Sequence, residues 1–166
     1  MADYIPRINV PLSPVSLNIL SPEKDGLEGW VKSARDNPTL RNDGDVNYIG
    51  GSGERDYVAF RQAVVLTADQ IELANSYERV RLKLRHKYPR AANGLNVMLV
   101  GRSGNATVSQ KSVGGGEYQD WSVITVDIPS AGIDAVEINV TVRFFNEFRN
   151  QDTLVMGVTG FELEFI

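Results

Sequence analysis

Five cations alternate through the stretch YERVRLKLRHKYPR, residues 77–90. Read as an extended strand, it sets Arg79, Arg81, Lys83, Arg85 and Lys87 on one face. Val80, Leu82, Leu84, His86 and Tyr88 fall on the other, because successive side chains of a strand point to opposite sides. A row of guanidinium and ammonium groups can do two kinds of chemistry. It can pair with carboxylates on flanking strands, where cross-strand neighbours stand ~4.5–5.5 Å apart. It can also present a positive face to an acidic partner. Acids for the first use exist: Glu162 and Glu164 alternate with apolar residues near the C-terminus, and Glu137 does so in AVEINVTV. Five cations against those three acids leave an excess, so both uses stay open.

The other chemistry-bearing residues are sparse. His86 is the only histidine and falls on the apolar side of its stretch, where a hydrogen-bonded core histidine is expected in preference to a base. GGSG (50–53) and GGG (114–116) lack the spacing of a phosphate-binding loop, and no G-x-S-x-G or H-E-x-x-H occurs. The expectation is a non-enzymatic protein without a cofactor. One weak metal signal remains. NDGDVN places Asp43, Asp45 and Asn47 at alternate positions, offering hard oxygens to a structural calcium ion. The same residues also read as an ordinary Asn/Asp turn. Trp30 and Trp121 are expected to pack in a core, whereas Tyr48 and Tyr118 sit in polar, glycine-rich surroundings where they could touch a glycan.

The totals bound what these groups can serve. The 166 residues suit one domain with an appended arm. Net charge is −4, but residues 77–90 hold six cations and one acid (+5), leaving eleven cations and twenty acids (−9) elsewhere. That balance argues against direct nucleic-acid binding, which needs a broad positive field. There are no cysteines, which fits folding in a reducing compartment. The N-terminus MADYIPRINV has no signal-peptide pattern. No segment approaches ~18 consecutive apolar residues, so no membrane contact is expected.

The positioning elements read as strands. Residues 1–26 contain four of the seven prolines together with many aliphatic residues. They are expected to form an extended arm, either packed on its own domain as an edge strand or reaching a neighbouring subunit through Tyr4, Ile5, Ile8, Val10 and Leu12. Residues 27–56 read as a turn-rich stretch. Strand patterns follow at 57–66, 77–88, 95–101, 121–129, 135–148 and 158–166, with a short helical turn or loop opened by Thr67 or Asp69 and a long loop over 102–120. The expected class is all-β: an antiparallel jelly-roll β-sandwich over 27–166 carrying the N-terminal arm 1–26.

The order GLEGW, DNPTL, YVAFRQAVVL followed by TADQ, the basic strand, LNVMLVG, YQDWSVITVDIP, DAVEINVTVRFF and VTGFELEFI resembles the galactose-binding-like jelly rolls of carbohydrate-binding modules over roughly residues 27–166. Jelly rolls of this kind also resemble accessory proteins of tailed-phage virions. The resemblance implies a viral structural protein that decorates a capsid, residing in the virion and in the host cytoplasm during assembly. Its partners would be a major capsid protein and further copies of itself, as in a trimer. The alternative it implies is a carbohydrate-binding module, or a phage tail or fibre component, that recognises a glycan.

Overall fold

Alternating apolar residues in the C-terminal half build the framework. The computed structural model describes residues 12–20, 28–32, 39–43, 46–50, 57–87, 92–114, 121–144 and 155–166. Its strands in chain order are β1 (Val15–Leu17), β2 (Val31–Lys32), β3 (Thr39–Asp43), β4 (Val46–Gly50), β5 (Tyr57–Val65), β6 (Arg79–Lys87), β7 (Ala92–Ser103), β8 (Ala106–Gly114), β9 (Ser122–Pro129), β10 (Ala135–Phe144) and β11 (Val155–Phe165). One sheet has the order β3-β4-β11-β6-β9, with β1 also pairing β11; the other runs β2-β5-β10-β7-β8. Every described pairing is antiparallel. The two sheets stack as the jelly-roll sandwich that the sequence pattern suggests.

The core lies between them. Val80, Leu82 and Leu84 of β6, Ile124, Val126 and Ile128 of β9, and Phe161, Leu163 and Phe165 of β11 are buried. Opposite them, Phe60, Leu95, Val97, Leu99, Val136, Ile138 and Val140 come from the five-stranded sheet. Trp30 joins the layers. It is buried, and its ring meets Phe60 edge-on at 5.2 Å and Phe161 edge-on at 5.7 Å, one from each sheet.

Two local features explain how the ends are tied in. Helix α1 (Ala68–Ser76) starts at Thr67, whose hydroxyl accepts from the Gln70 amide while the Gln70 side chain accepts from the Thr67 amide, a reciprocal cap. Gln62 of β5 is buried, and its side-chain amide accepts from Leu20 N and donates to Leu20 O, both at 2.9 Å. Residues 15–17 pair with 163–165 on the other sheet. The segment 15–20 therefore straps across both layers of its own sandwich.

The strand plan departs from the sequence reading in three places. The turn-rich stretch contains β2 and the β3–β4 hairpin. The expected loop over 102–120 contains β8, a nine-residue strand exposed at most positions. It lies at the edge of its sheet and buries too little to show an apolar alternation. Glu137 belongs to β10 in the five-stranded sheet, away from the basic row.

Candidate functional site

The two outer sheet faces carry the charged chemistry. On the six-stranded sheet, β6 lies between β9 and β11, and its cations meet partners. Arg81 reaches Asp127 through Nε and Nη2, at 2.7 and 2.8 Å, and Arg79 Nη1 approaches the same carboxylate at 3.4 Å. Lys83 Nζ lies 2.9 Å from Glu164. The Arg85 guanidinium sits 4.9 Å from the Trp121 ring centroid, a cation–π distance. Trp121 is thus partly exposed beneath Arg85, in place of the expected core packing. Hydrogen bonding from Arg81 is the main cause holding the Asp127 carboxyl below its ordinary range, with Arg79 adding to it against the opposing effect of burial. The same hydrogen bond raises the Arg81 guanidinium.

The remaining sequence candidates separate. Lys87 pairs with Gly157, which also pairs with Tyr48, so Tyr48 and Lys87 occupy one rung of the ladder. Tyr118 and Asp45 lie outside the described residues, as do Tyr4, Ile5, Ile8 and Val10 of the arm. Leu12 is exposed. Asp43 pairs with Val46, and Asn42 with Asn47, so NDGDVN joins β3 to β4, with 44–45 outside the described residues. His86 is buried in the core, with Nε2 3.3 Å from Ser122 Oγ. Burial pushes its pKa down, against a smaller upward effect of a backbone hydrogen bond involving Leu84.

The five-stranded sheet carries a different constellation, which the sequence reading missed. Glu137 Oε2 accepts from Arg102 Nε at 2.9 Å, and its Oε1 accepts from Asn139 Nδ2 at 3.1 Å. Arg61 Nη1 stands 3.7 Å from Oε1, beyond hydrogen-bond range. Burial pushes the Glu137 carboxyl up, but the hydrogen bonds from Arg102 and Asn139 and the charges of Arg102 and Arg61 together outweigh it, leaving it below its ordinary range. Register explains the grouping. Val31 pairs with Arg61, Arg61 with Asn139 and Asn139 with Met98, while Glu137 lies one rung further along between Ala63 and Val100.

Beside this network runs a shallow groove of about 190 Å³, lined by Val31, Lys32, Ala59, Phe60, Arg61, Asn139, Val140 and Thr141. It combines a small apolar floor with polar groups, of which Asn139 is held by Glu137, an arrangement suited to an amphipathic ligand. The available signal was the polar alternate positions of β5 and β10. Arg61, Glu137 and Asn139 interleave there with buried Phe60, Ile138 and Val140.

No family model matches the sequence, and no curated protein matches it. Solved structures share the fold. The tailspike protein 4 enzymatically active domain of bacteriophage CBA120 has a TM-score of 0.58 at 13% identity, over 88% of this chain and 20% of that one. The CBM22-1-CBM22-2 tandem of Paenibacillus barcinonensis Xyn10C has 0.54 at 16%, over 91% and 50%. The Stig cyclase Fisc from Fischerella sp. TAU has 0.54 at 12%, over 92% and 98%. The chain thus spans only a fifth of the tailspike chain and half of the tandem. A fold shared by a cyclase and by carbohydrate-binding modules does not fix an activity. The architecture is an antiparallel jelly-roll β-sandwich of the kind found in carbohydrate-binding modules and in a phage tailspike domain.

Proposed function

We propose that this chain is a non-catalytic saccharide-binding module, using the groove on the outer face of its five-stranded sheet. The observation that carries the reading is the groove itself. Arg61, Asn139 and Thr141 offer donors and acceptors beside the apolar surface of Val31 and Ala59, matching the hydroxyl edge and C–H face of a sugar ring. Likeness in fold to the Xyn10C modules and to the tailspike domain supports it, and a phage tail or fibre component is the setting that unites the two. Shell decoration, with a major capsid protein and further copies of the chain as partners, ranks second. The basic row, one of the features that reading drew on, gives it less support, because Arg79, Arg81 and Lys83 have carboxylate partners and Arg85 lies over Trp121.

The test is affinity electrophoresis or calorimetry against a panel of soluble polysaccharides, with Asn139→Ala and Arg81→Gln beside the wild type. At least one polysaccharide is expected to bind the wild type and Arg81→Gln alike. Asn139→Ala should bind about tenfold more weakly, the scale of one or two lost hydrogen bonds. Equal binding by all three proteins would remove the groove from the account. Binding to assembled phage shells with no polysaccharide bound would restore the decoration reading.

A further inference from the structure

The groove is electrically one-sided. Among its described lining residues, Lys32 and Arg61 carry charge and none is acidic. This occurs in a chain of net charge −4, so the local sign runs against the protein's own balance. The nearby carboxylate of Glu137 is occupied by Arg102 and Asn139 through its two oxygens. Arg61 makes only the 3.7 Å approach to it and no hydrogen bond among the described residues, and its side chain is 57% exposed. Lys32 is exposed and has no ion-pair partner among the described residues. A guanidinium with its planar donors unused is shaped for a carboxylate. A second cation at the same groove adds attraction to the same charge.

We propose that the groove selects carboxylate-bearing saccharides, chains of uronic acid residues. The inference rests on the saccharide-binding reading and narrows its ligand. Arg61 would grip the sugar carboxylate, with Lys32 supplying charge from the β2 edge. Asn139 and Thr141 would meet ring hydroxyls, and Val31 and Ala59 would lie under the C–H face. Glu137 is a positioning residue: it holds Arg102 and Asn139 in place and supplies no contact to the ligand. The basic row of the opposite sheet plays no part, because its carboxylates Asp127 and Glu164 already occupy Arg79, Arg81 and Lys83.

The experiment compares polygalacturonate and alginate, each with its esterified form, and dextran sulfate as a polyanion without carboxylates. Titrations use the full chain, Arg61→Gln and Arg85→Gln at low and moderate salt. The expected result is binding to at least one uronate polymer that weakens at least about tenfold on esterification and in Arg61→Gln, as the loss of charge-assisted hydrogen bonds implies. Arg85→Gln should leave it unchanged, and added salt should weaken it. Equal binding of acid and ester, or binding only of neutral polysaccharides, would overturn the charge selection while leaving saccharide binding intact. Dextran sulfate bound as tightly as the uronates would overturn the carboxylate preference. Binding of no polysaccharide would overturn both readings together.

Discussion

The two outer faces of the sandwich use similar residues to opposite ends. On the six-stranded sheet, cations and carboxylates stand on adjacent strands and satisfy one another: Arg79 and Arg81 share Asp127, and Lys83 takes Glu164. Such a ladder supports register and solubility and contributes little stability per pair. On the five-stranded sheet, Glu137 is hydrogen-bonded to Arg102 and Asn139, while Arg61 keeps only a 3.7 Å ion pair with it and Lys32 has no carboxylate partner among the described residues. Arg79, Arg81 and Lys83 of the conspicuous row are thus taken up by carboxylates of their own sheet, whereas the smaller pair Lys32 and Arg61 is held by none or only loosely among the described residues. The difference lies in the neighbouring strands, and only the three-dimensional pairing reveals it.

The comparison can be broken first by removing what both faces share. Trp30→Ala takes out the ring that bridges Phe60 and Phe161. It should destabilise the fold by about 3–5 kcal/mol, measured by chemical denaturation, with saccharide binding lost alongside. A small loss would mean that the sheets are held together without this residue.

Next is Glu137→Gln, which keeps the shape but removes the charge between three partners. Stability should fall by about 1–3 kcal/mol, while uronate binding persists, since Arg61 gains freedom. Loss of binding at unchanged stability would make Glu137 a ligand contact. A comparable cost, about 1–2 kcal/mol, is expected for Gly160→Ala. Gly160 lies at the register shift of β11 with a left-handed φ of +73°, and a Cβ there would stand 3.1 Å from Arg85 Cβ. Asp127→Asn weakens a bidentate pair with Arg81 on a carboxylate only 13% exposed, so it should cost about 1–2 kcal/mol and leave saccharide binding untouched.

Acid sharpens the same contrast through the core. Burial lowers the His86 pKa in the folded state, so the unfolded chain binds a proton at higher pH than the folded one does. Stability is therefore fully present above the unfolded value, about 6.5, and declines as pH falls below it. Asp127 and Glu137, both depressed, add a second decline that begins near the ordinary carboxylate range and continues as pH falls through their folded values. Denaturation midpoints between about pH 7 and pH 5 should drop in the wild type and stay nearly flat in His86→Gln. Parallel slopes in the two proteins would show that His86 does not govern that window.

Much of the fold was legible because burial leaves a period. Val136, Ile138 and Val140, and Phe161, Leu163 and Phe165, alternate cleanly and mark central strands. Thr67 was one of two residues read as opening a helical turn or loop, and it caps the helix Ala68–Ser76. The strand β8 was not legible, because an edge strand exposed at most positions carries no such period. The β3–β4 hairpin was hidden in a stretch rich in Gly, Asn and Asp, whose register only pairing reveals. Gln62 looked like one more strand residue, yet its amide straps Leu20 to the sheet. The basic row was legible as a face, and so was its use of Glu164. Asp127 was not, because nothing in the sequence says that β9 is the strand beside β6. The groove was the least legible feature. It needs Val31 and Lys32, two residues of an otherwise turn-rich stretch, laid beside Arg61.

The most direct test of the central claim is an amide chemical-shift map of the full chain titrated with oligogalacturonate or another bound uronate. Shifts should cluster at Lys32, Ala59, Arg61, Asn139 and Thr141. Shifts clustered instead at Arg81, Lys83, Arg85 and Trp121 would place the binding face on the six-stranded sheet and contradict the account.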